Sequence, residues 1–413
     1  MSISNFELKF KLIREYVHKN GINDPLIKSD WDAVKYDSQN KPIESSIGRY
    51  LKGLMLITLN RHCDPIIDVE EQITEYQSLT QKSFYFDQSN IETESDFEDF
   101  FAENSESSTL VFRGQREAKW RLYNSLQRTW ILKQLYKSEK SYFELISKLV
   151  SYGKKVHESY IKSVLKSFHV DTINDISVLG FLQHHECPTP LLDWTNSLEN
   201  ALYFGIDGLA QNENGVFEID DYFTIYSCPK KELTDYKRFW NEIINDFDQK
   251  LLSDFIEFIA KDDHDKELRM KSHFKGRNLI IKENITGSGL VSKMLDVEFL
   301  EPFHAVLFSD DDKDSGIVFS LHNNKNILNQ KGGFTWNNSA FKPLESIGRE
   351  YYQIQNPDDD VIENYRFCKC ININKRLAPF ISEKLNSLGI VKDFIYVSND
   401  TNAFEIFTTS LSK

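Results

Sequence analysis

Apolar positions along the 413-residue chain fall into two patterns. Some recur every three to four residues, as one face of a helix does; others form brief runs bounded by turn residues, as buried strands do. Phe6, Phe10, Ile13 and Val17 follow a capping-box sequence at Ser4–Glu7, and Gly21 stops the run. Ile47–Ile57 repeats the helical spacing. Residues 1–80 are therefore expected to form a small helical segment, and 81–413 the main domain. In the main domain Ser83–Asp87 suggests a short strand, and Ser95-Asp96-Phe97-Glu98 a capping box that opens an acidic helix. Thr109–Arg113 predicts a strand, and Ser125–Val164 one long amphipathic helical stretch with Trp130, Leu135, Phe143 and Val150 inward. Asp175–His184 predicts a helix, and Leu191–Ser197 a strand that feeds a second helix through Ala201 and Phe204. A strand follows at Tyr222–Cys228 and a helix at Phe239–Ile259. Short β-type runs come at Leu279–Lys282, Ala305–Ser309 and Gly316–Leu321, and Gly332-Gly333 lies inside Ile327–Trp336. Cys368–Ile373 reads as a strand, Ile381–Leu388 as a helix closed by Gly389, and Phe394–Val397 as a last strand. Helices and strands mix without a regular βαβ alternation, so the expected class is α+β.

Charge changes the picture. Acids number 63 against 49 lysines and arginines, a net charge of -14. That works against indiscriminate binding to nucleic acid or membranes. Residues 113–140 run the other way, with eight basic residues against Glu117 and Glu139. That run is either a solvated face or a landing strip for a phosphate-rich ligand. The five cysteines are odd in number and irregularly spaced, which points to reduced thiols in a cytoplasm. Cys368-x-Cys370 lacks a second pair, so no metal site is expected. Met1–Glu15 has no apolar signal core, and no apolar run reaches membrane-spanning length. A cytoplasmic location without a membrane partner is the expectation.

Candidate chemistry gathers at three places. Val111-Phe112-Arg113-Gly114-Gln115 reads as a buried strand that delivers one cation to a tight bend. A guanidinium is costly to bury unless an anion meets it, and its fork suits a phosphate. The plainer alternative is an arginine paired with a nearby Asp or Glu. In Leu191–Ser197, Asp193, Thr195 and Ser197 alternate and share a face if the strand continues. They suit a ribose, a phosphate or a neighbouring arginine; equally, Asp193 pairs with a buried arginine while Asn196 or Ser197 caps the next helix. In Gln183-His184-His185-Glu186-Cys187, adjacent histidines on a helix point about 100° apart and rarely share an ion. Cys187 is followed by Pro188 with no glycine-rich oxyanion turn, a poor setting for a nucleophile. The favoured reading is a structural corner, with His184 or His185 bonded to backbone or lining a pocket.

These residues also resemble a known family. Phe112-Arg113-Gly114-Gln115, followed by Trp120, Leu122, Ser125-Leu126 and Arg128, resembles the opening of FRG domains. Leu179–His185 with Pro188–Thr195 resembles their second block, although the family usually has glycine and arginine where Glu186 and Pro190 stand. Asn329–Thr335 resembles the third block and Leu385–Ile390 the closing helix, so the resemblance covers about 85–410. The motif order looks like that of ADP-ribosyltransferases. That implies a mixed β core surrounded by helices, with NAD as the substrate. The resemblance implies a binding set of Arg113, Gly114, Gln115, His184, Asp193 and Phe204, with Arg113 on the diphosphate. It implies Thr195, Ser197 and Gln330 as the catalytic set. Gln330 stands where that superfamily places a glutamate, and a neutral amide stabilises a developing cation less than a carboxylate does. Glu298, Glu301 and Glu345 are candidate substitutes. The implied activity is that of a toxin-like or anti-phage effector moving ADP-ribose from NAD to a macromolecule. Single-stranded RNA is favoured as acceptor over protein, and an antitoxin-like protein is the implied partner. The alternatives are a non-catalytic nucleotide- or macromolecule-binding module and an NAD glycohydrolase.

Overall fold

The structure is a computed structural model that describes residues 70–167, 173–209, 218–230, 233–235, 263–274, 295–301, 305–309, 325–355, 365–396 and 403–412, with a few isolated positions besides. By its contacts the chain divides between Ile66 and Ile67. The helices expected before residue 70, most of Phe239–Ile259, and the β-type runs at 279–282 and 316–321 lie outside the described residues.

The described part of the second unit is built on one mixed sheet. Its strands are β1 (Asp87–Ile91), β2 (Leu110–Gln115), β3 (Leu191–Thr195), β4 (Tyr222–Pro229), β5 (Thr234–Asp235), β6 (Val306–Phe308), β7 (Gly332–Trp336) and β8 (Lys369–Asn374). Their spatial order is β1-β8-β4-β2-β3-β7-β6-β5. β1 with β8 and β5 with β6 run parallel; the other neighbours are antiparallel. The sheet and the many helices on it make the class α+β. β2 pairs with β4 from Leu110 opposite Pro229 to Gln115 opposite Thr224. With β3 it shares a single registered pair, Phe112 opposite Thr195. The ladder opens at the middle of the sheet.

Helices α1 (Glu94–Asn104), α2 (Ser125–Leu132), α3 (Tyr142–Ser167), α4 (Asp175–His184) and α5 (Leu198–Ile206) precede β4. α6 (Lys325–Gln330), α7 (Leu344–Gln355), α8 (Ala378–Ser387), α9 (Lys392–Ile395) and α10 (Phe404–Ser412) come later. Two apolar cores flank the strands. One joins Phe112, Phe223, Ile225 and Ile373 of the sheet to Ala201 of α5 and Ile381 of α8. The other joins Leu191, Phe308 and Trp336 to α2, α3, α4 and α10. A separate buried node ties the segment before β1 to α7. Arg121 Nε meets Glu345 Oε1 at 2.7 Å with both side chains fully buried. Tyr76 Oη and the Leu122 amide also donate to that carboxylate, and Arg121 donates further to Thr74 and Ser346. Every strong donor there meets an acceptor, which is what makes a buried ion pair tolerable.

Several elements differ from the expectation, each for a local reason. The acidic helix opens two residues earlier: Thr93 caps it, in a reciprocal capping box with Asp96. The sequence offers a Ser/Thr-x-x-acid box twice in six residues, at Thr93–Asp96 and Ser95–Glu98. The long stretch Ser125–Val164 is broken. α2 ends at Leu132, Gln134 takes a left-handed φ of 52°, and α3 restarts behind a second reciprocal pair, Ser141 with Glu144. Ser83–Phe86 forms turns, and the strand begins only at Asp87. Lys392–Ile395 is a short helix rather than a final strand. The carbonyls of Phe394 and Ile395, which a strand would present to a neighbour, accept instead from the side chains of Asn329 and Gln330.

Candidate functional site

Where β2 and β3 part, a cavity of about 730 Å³ opens. Six pieces of chain line it. β2 gives Phe112, Arg113 and Gly114, and α4 with its following turn gives Gln183, His184, His185 and Glu186. β3 gives Asp193, Trp194 and Thr195, and α5 gives Phe204. The α6–β7 corner gives Asn326, Gln330, Gly332, Gly333 and Phe334, and α9 with the next residue gives Lys392 and Tyr396.

Arg113 is held in place by the opened ladder. Its Nη1 donates to the main-chain carbonyl of Asp193 at 2.7 Å, where a strand partner's amide would otherwise come. Among the described residues its buried Nε has no partner and no carboxylate forms an ion pair with it. Burial pulls its pKa below the usual arginine range, against the charge of Asp193 and the phenol of Tyr226. This is neither of the two pairings expected for Arg113 and Asp193. The guanidinium takes the Asp193 carbonyl, while the Asp193 carboxylate accepts from Gln183 Nε2 at 2.9 Å.

Gly114 is required by close approach. A Cβ there would lie 1.9 Å from the Ala201 carbonyl oxygen and 2.7 Å from the Gly205 nitrogen. β2 therefore lies directly on the backbone of α5. That contact places Phe204, the last aromatic of α5, on the cavity wall.

His184 packs its ring edge-on to Phe334, with centroids 5.7 Å apart. Among the described residues its buried Nε2 also lacks a partner. Burial drops its pKa to about 4, against the attraction of Asp193, so the ring is neutral at pH 7. His185 bonds the Phe181 carbonyl through Nδ1 at 2.7 Å. Cys187 is buried, and burial pushes its thiol up to about 12, which removes it as a nucleophile at neutral pH.

Thr195 and Gln330 meet through a main-chain carbonyl. Thr195 Oγ1 donates to the Gln330 carbonyl at 2.6 Å and accepts from the Ser197 amide at 3.0 Å. The hydroxyl thus clamps β3 to the α6–β7 corner. The Gln330 side chain donates its Nε2 to the Ile395 carbonyl at 3.2 Å, which ties α9 to the same corner. That leaves Oε1 as the amide atom available to a ligand.

Two residues of the expected set stand off the lining. Ser197 is the N-cap of α5: its Oγ accepts from the Asn200 amide at 3.3 Å and donates to Glu199. Gln115 is buried and donates to the Arg121 carbonyl at 3.5 Å. The candidate acids are elsewhere too. Glu345 is held by Arg121, and neither Glu298 nor Glu301 lines the cavity. The carboxylates that do line it are Asp193 and Glu186. Glu186, Asn326, Lys392 and Tyr396 were not singled out from the sequence. The first carried one signal, its departure from glycine.

The basic run 113–140 does not act as one strip. Arg121 is internal, Lys119 pairs with Asp220, Lys140 donates to the Leu411 carbonyl, and Lys133 lies over Phe404 and Phe407. Arg116 is exposed, and Arg128 is exposed along its length while its guanidinium donates to the Tyr123 carbonyl at 2.9 Å. Solvent is displaced around the Arg128 guanidinium, and the charges of Arg113 and Arg116 add to that loss, lowering its pKa to about 10. Arg128 therefore sits within electrostatic reach of both.

The family model for the FRG domain matches residues 108–214. The chain carries an FRG domain. The matched span runs from the residues before β2 to beyond α5, and so supplies Arg113, His184, Asp193, Thr195 and Phe204. The FRG domain's cavity is completed by Gln330, Lys392 and Tyr396, which lie beyond that span. Neither a curated protein nor a solved structure matches the chain.

Chemically the cavity is a mixed site. Two cations, Arg113 and Lys392, face it together with a neutral imidazole, two carboxylates and several aromatic rings. Its size is that of a small-molecule pocket rather than a packing defect. A cation with a partnerless N–H, as Arg113 has among the described residues, suits phosphate oxygens, and rings suit a planar base.

Proposed function

We propose that the FRG domain binds NAD in this cavity and transfers its ADP-ribose to a macromolecule. One observation carries the proposal: Arg113, Thr195 and Gln330, from three distant stretches, converge on one cavity, and among the described residues no acid pairs with the arginine. The order of these motifs along the chain resembles that of ADP-ribosyltransferases, and this likeness is what points to NAD among nucleotides. In this reading Arg113 holds the diphosphate through the Nε and Nη atoms that its bond to Asp193 leaves over. Neutral His184 donates or accepts one hydrogen bond to a ribose without adding charge. Phe204 and Phe334 exclude water from the glycosidic bond. Thr195 shapes the pocket by locking its wall, since its hydroxyl proton is already engaged. Gln330 offers an amide oxygen to a ribose hydroxyl.

Exposed Arg116 and Arg128 beside Arg113 favour an acceptor with phosphodiester charge, and RNA is proposed ahead of protein. A toxin-like or anti-phage role, with an antitoxin-like partner, completes the proposal and comes from the family resemblance. A second reading has its own support. Gln330 is an amide tied to Ile395, not a free carboxylate, which suits a nucleotide-binding module without turnover. Incubating the protein with NAD labelled in the adenylate half, and separately with RNA, DNA and protein pools, decides between them. The transferase reading expects label on macromolecule, on the RNA pool first. Intact NAD with no labelled pool leaves only the binding reading. Free labelled ADP-ribose, with no labelled pool, identifies a glycohydrolase.

A further inference from the structure

A carboxylate that served only to neutralise a buried guanidinium would be drawn into direct contact with it. Asp193 is not so placed. Nη1 of Arg113 takes the Asp193 main-chain carbonyl, while the carboxylate Oδ2 accepts from Gln183 Nε2 at 2.9 Å. Gln183 is fixed in that sense. Its Oε1 already accepts from the hydroxyls of Ser125, at 3.2 Å, and Thr189, so only its N–H side is left to face Asp193. Among the described residues that is the carboxylate's one hydrogen bond, which leaves Oδ1 for the cavity that Asp193 lines. The neighbours of that oxygen suit a planar cation. Asp193 stands opposite Phe334 in the β3–β7 register, and the His184 ring packs edge-on to Phe334. The face of a phenyl ring attracts positive charge. His184 is neutral at pH 7 and so does not repel it. Arg113 and Lys392, the cations of the lining, suit phosphates instead.

We infer that Asp193 is a specificity-determining residue: its remaining carboxylate oxygen faces the positively charged nicotinamide ring and makes the cavity select oxidised NAD over NADH. The inference rests on the proposal that this cavity binds NAD, and it holds whether or not turnover follows. The two forms of the dinucleotide share an anionic diphosphate, an adenosine and a nicotinamide ribose. They differ in the ring, which is a cation in NAD and neutral in NADH. Arg113 grips the part they share and gives no preference between them. Asp193, with Phe334 and an uncharged His184 beside it, responds to the part that differs. The contact also sets the direction in which NAD lies, with the nicotinamide ring at the α4 and β7 side of the cavity and away from Lys392 of α9.

The test is calorimetric titration of NAD, NADH and ADP-ribose into the wild type, Asp193→Asn and Lys392→Ala, with Tm recorded for each protein. The wild type is expected to bind NAD at least about ten-fold more tightly than NADH, the scale of one charge-assisted contact. Asp193→Asn keeps an acceptor for Gln183 and removes the charge. It should bring NAD and NADH within about two-fold of each other by weakening NAD. ADP-ribose, which lacks the ring, should bind to Asp193→Asn at least as tightly as to the wild type. A merely structural aspartate would weaken all three ligands together and leave the NAD-to-NADH ratio unchanged. Lys392→Ala, a change at an exposed position, should weaken NAD and NADH alike and keep their ratio. If Asp193→Asn does not fold, the wild-type preference and the ratio in Lys392→Ala decide the matter. A wild type without preference for NAD, or an Asp193→Asn that keeps the preference, overturns the assignment and leaves the NAD reading standing. A ratio that changes in Lys392→Ala overturns it as well, since the ring would then lie against α9. If the wild type binds none of the three ligands, the inference and the NAD reading both fall.

Discussion

At the scale of single residues, His184 shows how the cavity sets its own protonation. The ring is packed on Phe334 and its pKa is drawn down to about 4, while in an unfolded chain it would titrate near its ordinary value of about 6.5. Between those values the unfolded state binds the proton and the folded state does not. Stability must therefore fall as pH drops through that window and recover above it. Replacing His184 with Asn removes the titration. Urea midpoints at pH 7 and pH 5 should separate by about 1 kcal/mol more in the wild type than in His184→Asn, after allowance for the ring's partial exposure. Equal separations would mean that His184 is charged in the folded protein and that the cavity is wetter than its packing indicates. Arg113 is the counterpart. Its guanidinium is aimed by a main-chain carbonyl instead of being neutralised by a carboxylate, so its charge stays available to an anion.

At the scale of elements, the site depends on β2 lying flat against α5. Gly114→Ala would drive a Cβ into the Ala201 carbonyl, a backbone atom that no rotamer change relieves. Overpacking of this kind costs about 3 kcal/mol or more. Chemical denaturation should show that loss, and an unchanged midpoint would contradict the close approach of β2 and α5. The strand through Phe112-Arg113-Gly114 and the helix with Ala201 and Phe204 were legible in the sequence as elements. Their contact was not: Gly114 was expected to serve a tight bend, yet it lies inside β2, where its lack of a Cβ serves the close approach to α5. The expectation that Thr195 and Gln330 share a site came only from the order of the family's motifs. Other parts were not legible. Strand periodicity put Ser197 on the face of Asp193 and Thr195, yet β3 ends at Thr195 and Ser197 becomes a cap. The run Phe394–Val397 is apolar enough for a strand. What makes Lys392–Ile395 a helix is a pair of side-chain bonds from Asn329 and Gln330, more than sixty residues earlier. Long-range hydrogen bonds of that sort leave no periodic trace, and for that reason Lys392 and Tyr396 were missed.

At the scale of the whole molecule, the FRG match and the cavity do not coincide. Residues 108–214 build one wall, with the cation and the aromatic step, and the α6–β7 corner with α9 closes the other. A protein with an overall charge of -14 thus keeps Arg113, Arg116 and Arg128 within electrostatic reach of one another. The central claim is that the cavity is a dinucleotide site anchored by Arg113. Calorimetric titration of NAD into the wild type and into Arg113→Ala tests it most directly. The account predicts one NAD per wild-type chain and an affinity at least about ten-fold weaker in Arg113→Ala, the usual loss of a charge-assisted hydrogen bond. No binding to the wild type, or equal affinity in both proteins, would contradict it.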